Sequence, residues 1–145
     1  MREILFRGKA INRNKNYSYK TDYKNGDWVY GLLADVNDYA GFSKMTNTDG
    51  VTGIEVDTNT VGQFTGLTDK NGEKIFEGDI FKDSLGVISV VEWSKDGRFL
   101  GFTLNTQKSC RWDRGRCVVY IDREPSVEVI GNIHDNPELL KGGAE

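Results

Sequence analysis

Between Thr60 and Phe81 the chain reads TVGQFTGLTDKNGEKIFEGDIF. Turn residues recur there every few positions, the apolar runs between them are short, and no helical period develops. Asn71-Gly72 is the strongest local signal, because that dipeptide suits a tight type I′ hairpin turn in which both central residues need positive φ. Glu77-Gly78-Asp79 marks a second turn before Ile80 and Phe81. A segment punctuated in this way points to short β-strands joined by tight turns.

The rest of the chain keeps the same rhythm. Glu3–Gly8 reads as a strand with Ile4 and Phe6 on one face. Asn12–Lys24 reads as a long polar loop closed by an Asn25-Gly26 turn. Asp27–Leu33 alternates, with Trp28, Tyr30 and Leu32 on one side and Val29 and Leu33 on the other. Asp35–Gly53 reads as a polar, turn-rich connection that includes the NTDG turn at Asn47–Gly50. Ile54 and Val56 open another alternating run that leads into Val61–Leu67. Val87–Trp93 is dense in β-branched residues, and with Phe99–Leu104 it makes a hairpin around SKDG at Ser94–Gly97. Val118–Ile121 and Val127–Ile133 are the last strands. One short helix is expected after Asn136, which can cap it, with Pro137 at its first position and Glu138 at its positive end.

The fold class that follows is mainly β. Seventeen glycines and an aromatic share of 11% in 145 residues fit many tight turns around a real core. The expected arrangement is an SH3-like small barrel in the C-terminal half, residues 61–145, ending in the short helix. Residues 1–60 add a further β region with long polar loops. Val61-Gly62-Gln63-Phe64 echoes Ile130-Gly131-Asn132-Ile133, and both read as strand corners where glycine permits a bend.

Charge is unevenly spread around a net −3. Met1–Gly26 holds Arg2, Arg7, Lys9, Arg13, Lys15, Lys20 and Lys24 against Glu3 and Asp22, whereas Asp27–Asp83 holds eleven acids against four bases. Opposite charges on neighbouring strands account for such a pattern more simply than a polar partner does. Met1–Ala10 lacks the apolar stretch of a secretory signal, and no run approaches membrane-spanning length, so a cytoplasmic protein is expected. Cys110 and Cys117 flank a turn at Asp113–Gly115 and would face each other if the hairpin pivots on Asp113 and Arg114. Two reduced thiols are the cytosolic expectation.

Several segments resemble the YopX family of phage and prophage proteins. They are Phe6-Arg7-Gly8, GQFTGLTDKNG (Gly62–Gly72), IFEGDI (Ile75–Ile80), VVEW (Val90–Trp93) and VIGNIHDNPELL (Val129–Leu140), in that order and spacing. The resemblance covers most of the length. It implies a β-rich fold with an SH3-type barrel and a phage or prophage origin, and it brings no activity or catalytic residue with it. Tyr39–Gly53 and the Cys110–Cys117 hairpin match no pattern of the family.

Reactive chemistry finds little support. Glu73, Glu77, Asp79 and Asp83 are the best candidates for an oxygen-ligand metal site or acid–base work, but their spacing is not that of a calcium loop. Asp79 after Gly78 is better read as an acceptor of backbone N–H bonds in its turn. His134 is the only histidine and has no obvious orienting partner. No nucleophile elbow exists, and two cysteines with one histidine do not make a zinc site. No catalytic, cofactor or metal residue is therefore assigned, and no cofactor or small-molecule substrate is expected.

Binding surfaces fare better. Most of Trp28, Tyr30, Phe64, Phe76, Phe81, Trp93, Phe99 and Phe102 should fill cores, leaving one or two for an exposed aromatic shelf. Lys108, Arg111, Arg114 and Arg116 surround Trp112 at a hairpin tip that can contact a partner or a nucleic-acid backbone. An isoelectric point of about 5.3 argues against a dedicated nucleic-acid binder. The leading expectation is a non-enzymatic protein-interaction module, host-modulating or accessory, that binds a protein partner or its own copies. Nucleic-acid binding through the basic hairpin and the basic N-terminal stretch comes second, and a metal-dependent hydrolase at the acidic turn third.

Overall fold

A computed structural model describes residues 3–11, 24–37, 42–46, 53–84, 86–93, 102–106, 118–120 and 127–141. The chain is mainly β, with antiparallel strands in two sheets and one short helix. The strands are β1 (Phe6–Lys9), β2 (Trp28–Asn37), β3 (Phe42–Thr46), β4 (Gly53–Asp57), β5 (Gly62–Thr68), β6 (Lys74–Phe76), β7 (Asp79–Lys82), β8 (Ile88–Trp93), β9 (Phe102–Thr106), β10 (Val118–Tyr120) and β11 (Glu128–Asn132). The helix is α1 (Glu138–Lys141). The hydrogen-bonded orders are β4-β3-β2-β1-β5-β6 and β10-β9-β8-β7-β11. Two compact units divide the chain, Met1–Gln63 and Phe64–Glu145.

In the first unit, β1 lies between β2 and the start of β5. The alternation of Asp27–Leu33 is realised, and it is the Val29 side that turns inward. Val29, Met45, Ile54, Val56 and Ala10 form the core, with Phe6, Leu33 and Val61 packed against it. A single bridge, Ala10↔Val56, ties the end of the first strand to β4. Gly8 faces this core. A Cβ there would stand 3.1 Å from Val56 Cβ and 3.3 Å from Met45 Sδ, so the close approach of strands excludes a side chain.

One element differs from the sequence reading. Asp35–Gly53 is not all connection: β2 runs on to Asn37 and β3 pairs with both β2 and β4. Met45 on β3 is fully buried at the centre of the unit. Its neighbours are polar and the run is five residues long, so local composition hides a strand that packing makes.

In the second unit, Ile75, Phe81, Val91 and Val127 form the core, flanked by Leu67 and Val129. The expected β8–β9 hairpin is present, with Val91 opposite Leu104 and Trp93 opposite Phe102. Its SKDG tip lies outside the described residues, as does the NTDG segment. Among the described residues the five-stranded order runs from β10 to β11, with no ladder joining its two ends. Gly131 sits where the β7–β11 register shifts, as a strand bend requires. The Asn136 side chain covers it so tightly that a Cβ would fall 2.6 Å from Oδ1 and 2.9 Å from Cγ.

The Asn71-Gly72 hairpin is built differently from the expected two-residue type I′ turn. The Gly72 N–H bonds to the Asp69 carbonyl at 3.0 Å, and the Asp69 N–H to the Glu73 carbonyl at 2.8 Å. Gly72 has φ +81°. This is a three-residue loop, a turn over Lys70 and Asn71 followed by a left-handed glycine. The side chain of Asp69 sets that choice.

Candidate interaction surface

Three aspartates of the second unit, Asp69, Asp79 and Asp83, serve the backbone. Asp79 is buried, and its Oδ2 accepts the Phe76 N–H at 2.8 Å, as its place after Gly78 led us to expect. Gly78 takes the left-handed conformation of the turn, φ +88°. Asp83 Oδ1 accepts the Val87 N–H at 2.8 Å and so closes the next connection. Glu73 is exposed on the hairpin, and Glu77 is half-buried. Among the described residues no three His, Cys, Asp or Glu side chains converge so as to hold a metal ion.

The residue that sequence reasoning missed is Asp69. It is 7% exposed. Its Oδ1 accepts the N–H groups of Asn71 (2.8 Å) and Glu73 (2.9 Å), and its Oδ2 accepts that of Val129 (3.0 Å), sixty positions along the chain. Burial by itself pushes the carboxyl pKa up. The bonds from Val129, Glu73 and Asn71, with Lys70 alongside, outweigh it and hold Asp69 below the ordinary aspartate range. A second bond, from the Lys70 N–H to the Val127 carbonyl at 3.1 Å, fastens the same loop to the chain entering β11. An aspartate just ahead of Asn-Gly can bond to the backbone two residues on, and that was the available clue.

His134 belongs to a comparable knot. Its N–H and that of Asp135 both bond to Asn132 Oδ1, at 3.0 and 2.9 Å, and Asn132 Nδ2 reaches Asp135 Oδ2 at 3.2 Å. The Asn136 N–H then bonds to the Asn132 carbonyl at 2.9 Å and leads into α1. These bonds shape the exit from β11.

The aromatic residues separate clearly. Phe64, Phe76 and Phe81 are buried, with the Phe64 and Phe76 rings 5.5 Å apart. Tyr30 is 48% exposed and Trp93 is 42% exposed. Phe99 lies outside the described residues. So do Lys108, Arg111, Trp112, Arg114 and Arg116, together with Cys110 and Cys117.

Tyr30 does not stand alone. The two-residue period of β2 puts Trp28, Tyr30 and Leu32 on the face opposite the Val29 core, and Leu32 is 53% exposed. Cross-strand pairing sets Arg7 beside Tyr30 and Lys9 beside Trp28 on that face. The Trp28 ring holds both cations, with Arg7 Cζ at 4.8 Å and Lys9 Nζ at 5.5 Å from its centroid. Such contacts stabilise by about 0.5–2 kcal/mol depending on burial. The product is a strip about 13 Å long (five residues of strand) that starts half-buried and cationic and ends exposed and apolar.

Among the described residues no helix is long and apolar enough to cross a membrane. No curated protein matches the chain. The family model described as "YopX protein" matches residues 6–141, nearly the whole length. It takes in both units and all eleven described strands, and on this match the chain belongs to the YopX family.

Proposed function

We propose that this chain is a non-enzymatic protein-interaction module of a phage or prophage, accessory or host-modulating, acting in the host cytoplasm. In this reading the C-terminal unit is an SH3-like barrel. The observation that carries the proposal is the Tyr30–Leu32 strip. Met45 on β3 and Ile54 and Val56 on β4 turn into the core with Val29, yet on the other face of β2 Tyr30 and Leu32 are each about half exposed. Tyrosine and tryptophan on a rigid strand supply much contact area for little lost side-chain freedom, the usual make-up of a binding hot spot. The carboxylates of the second unit support the same reading, since Asp69, Asp79 and Asp83 are engaged with backbone N–H groups.

The test combines light scattering on the purified chain with affinity capture from host lysate, using wild type and Leu32→Ser. A partner, or a mass above the monomer, that is lost in the variant is the expected result. A strictly monomeric chain whose captured proteins are the same with and without Leu32 overturns the proposal.

A further inference from the structure

We infer that the tip of the β5–β6 hairpin is an edge guard, which stops the outer edge of β11 from pairing with the same edge of a second copy of this chain. β11 ends the five-stranded order, and among the described residues β7 alone pairs with it. The Val129 N–H points away from β7, since it donates to Asp69 Oδ2 at 3.0 Å. The Val127 carbonyl points the same way and accepts the Lys70 N–H at 3.1 Å. One residue of a parallel neighbouring strand makes this same pair of bonds, giving its N–H to one residue and taking an N–H from the next but one. Here Lys70 supplies the N–H, and the Asp69 side chain stands in for the carbonyl. Glu128, the residue between, completes the contact through an ion pair from Lys70 Nζ to its Oε2 at 3.2 Å. With one side chain and one amide, the tip takes up the bonds that an incoming strand would use.

The residues of the edge say why it needs a guard. Val127, Val129 and Ile130 have strong strand preference, and Glu128 is the only charge from Val127 to Ile133. An edge of that kind is a ready template for pairing with another chain. This one is also self-complementary. Setting Val129 antiparallel against Val129 of a second copy lets each N–H meet the other's carbonyl, a two-fold arrangement that closes as a dimer. The same register keeps the two Glu128 side chains from standing directly opposite each other.

The experiment is light scattering on the full chain across a concentration series, with circular dichroism as the check on folding. Lys70→Pro removes the N–H bond to Val127 and the ion pair, and proline suits the first central position of the turn that Lys70 holds. Combined with Asp69→Ala, it leaves the Val127–Val129 edge unguarded. The double variant should approach about twice the wild-type mass at high concentration, and Lys70→Pro alone should associate more weakly. Adding Val129→Pro deletes the outward N–H and spares the β7 ladder, a substitution that edge strands tolerate. It should return the mass to that of wild type. A folded double variant that keeps the wild-type mass overturns the guard, and so does association that persists with Val129→Pro. If the double variant unfolds, Lys70→Pro decides. Association there that Val129→Pro abolishes supports the guard, and wild-type mass at every concentration overturns it.

Discussion

The tip of the β5–β6 hairpin and the outer face of β2 use polar and aromatic residues in opposite ways. At the tip, one carboxylate gathers three backbone N–H groups from two distant parts of the chain, and the charge is used up inside the fold. On β2, Trp28 is steadied by two cations, while Tyr30 and Leu32 each keep about half of their surface in water. Buried polar groups must be satisfied where they sit, so the first arrangement follows from folding. A half-exposed tyrosine–leucine pair contributes less to folding than a buried one, which is where the two regions differ.

If that contrast is right, the largest losses of stability belong to the second unit's interior. Phe81 is essentially fully buried beside Ile75 and Val91. Phe81→Ala should cost about 3–5 kcal/mol, as for other large core truncations, read as a lower denaturant midpoint at unchanged slope.

Asp69→Ala comes next. It leaves the N–H groups of Asn71, Glu73 and Val129 without their acceptor, at roughly 2–4 kcal/mol given partial rehydration of the loop. Asp69→Asn keeps one carbonyl oxygen and should fall between wild type and alanine. The pH dependence has a definite sign. The folded carboxyl has a lowered pKa, so its contribution is complete above the unfolded value of about 3.9 and is lost as pH falls through the folded value. Urea midpoints taken from pH 6 down to pH 3 should converge for wild type and Asp69→Asn. A gap that stays constant across that range would mean the carboxylate is not acting through its charge.

Smaller still is Gly131→Ala. The new methyl must displace Asn136, whose side chain stands 2.6–3.0 Å from the ideal Cβ. Because Asn136 also orders the start of α1, overpacking of about 1–3 kcal/mol is expected. Protection of the Leu139 amide in hydrogen exchange should drop with it.

How much of this could be read beforehand depended on the range of the interaction. Alternation exposed β2 and β4 because each is written in its own residues, and Asn136-Pro137-Glu138 announced α1 for the same reason. β3 was hidden, since Met45 becomes core only when Leu33 and Ile54 flank it. Asp69 was hidden in the same way, because its third bond comes from Val129 and no local window contains both. The turn at Asn71-Gly72 was placed correctly but typed wrongly, as the dipeptide's own preference yields to a side-chain acceptor two residues earlier. For the surface strip, alternation put Trp28, Tyr30 and Leu32 on one face. Which face meets water is decided by the core that Val29 joins.

The weakest effect expected on folding is also the one that separates the two regions most sharply. Leu32→Ser removes an apolar side chain that is already 53% exposed and sits on a strand opposite its own core. Surface changes of this kind usually stay within about 0.5 kcal/mol of wild type. The urea midpoint should therefore hardly move while partner capture is lost. If Leu32→Ser instead unfolds the chain as Phe81→Ala does, Leu32 is core, the outer face of β2 is no surface at all, and the contrast with the Asp69 knot disappears. If stability and capture both survive, the strip is ordinary apolar surface, and the partner must be sought on another face.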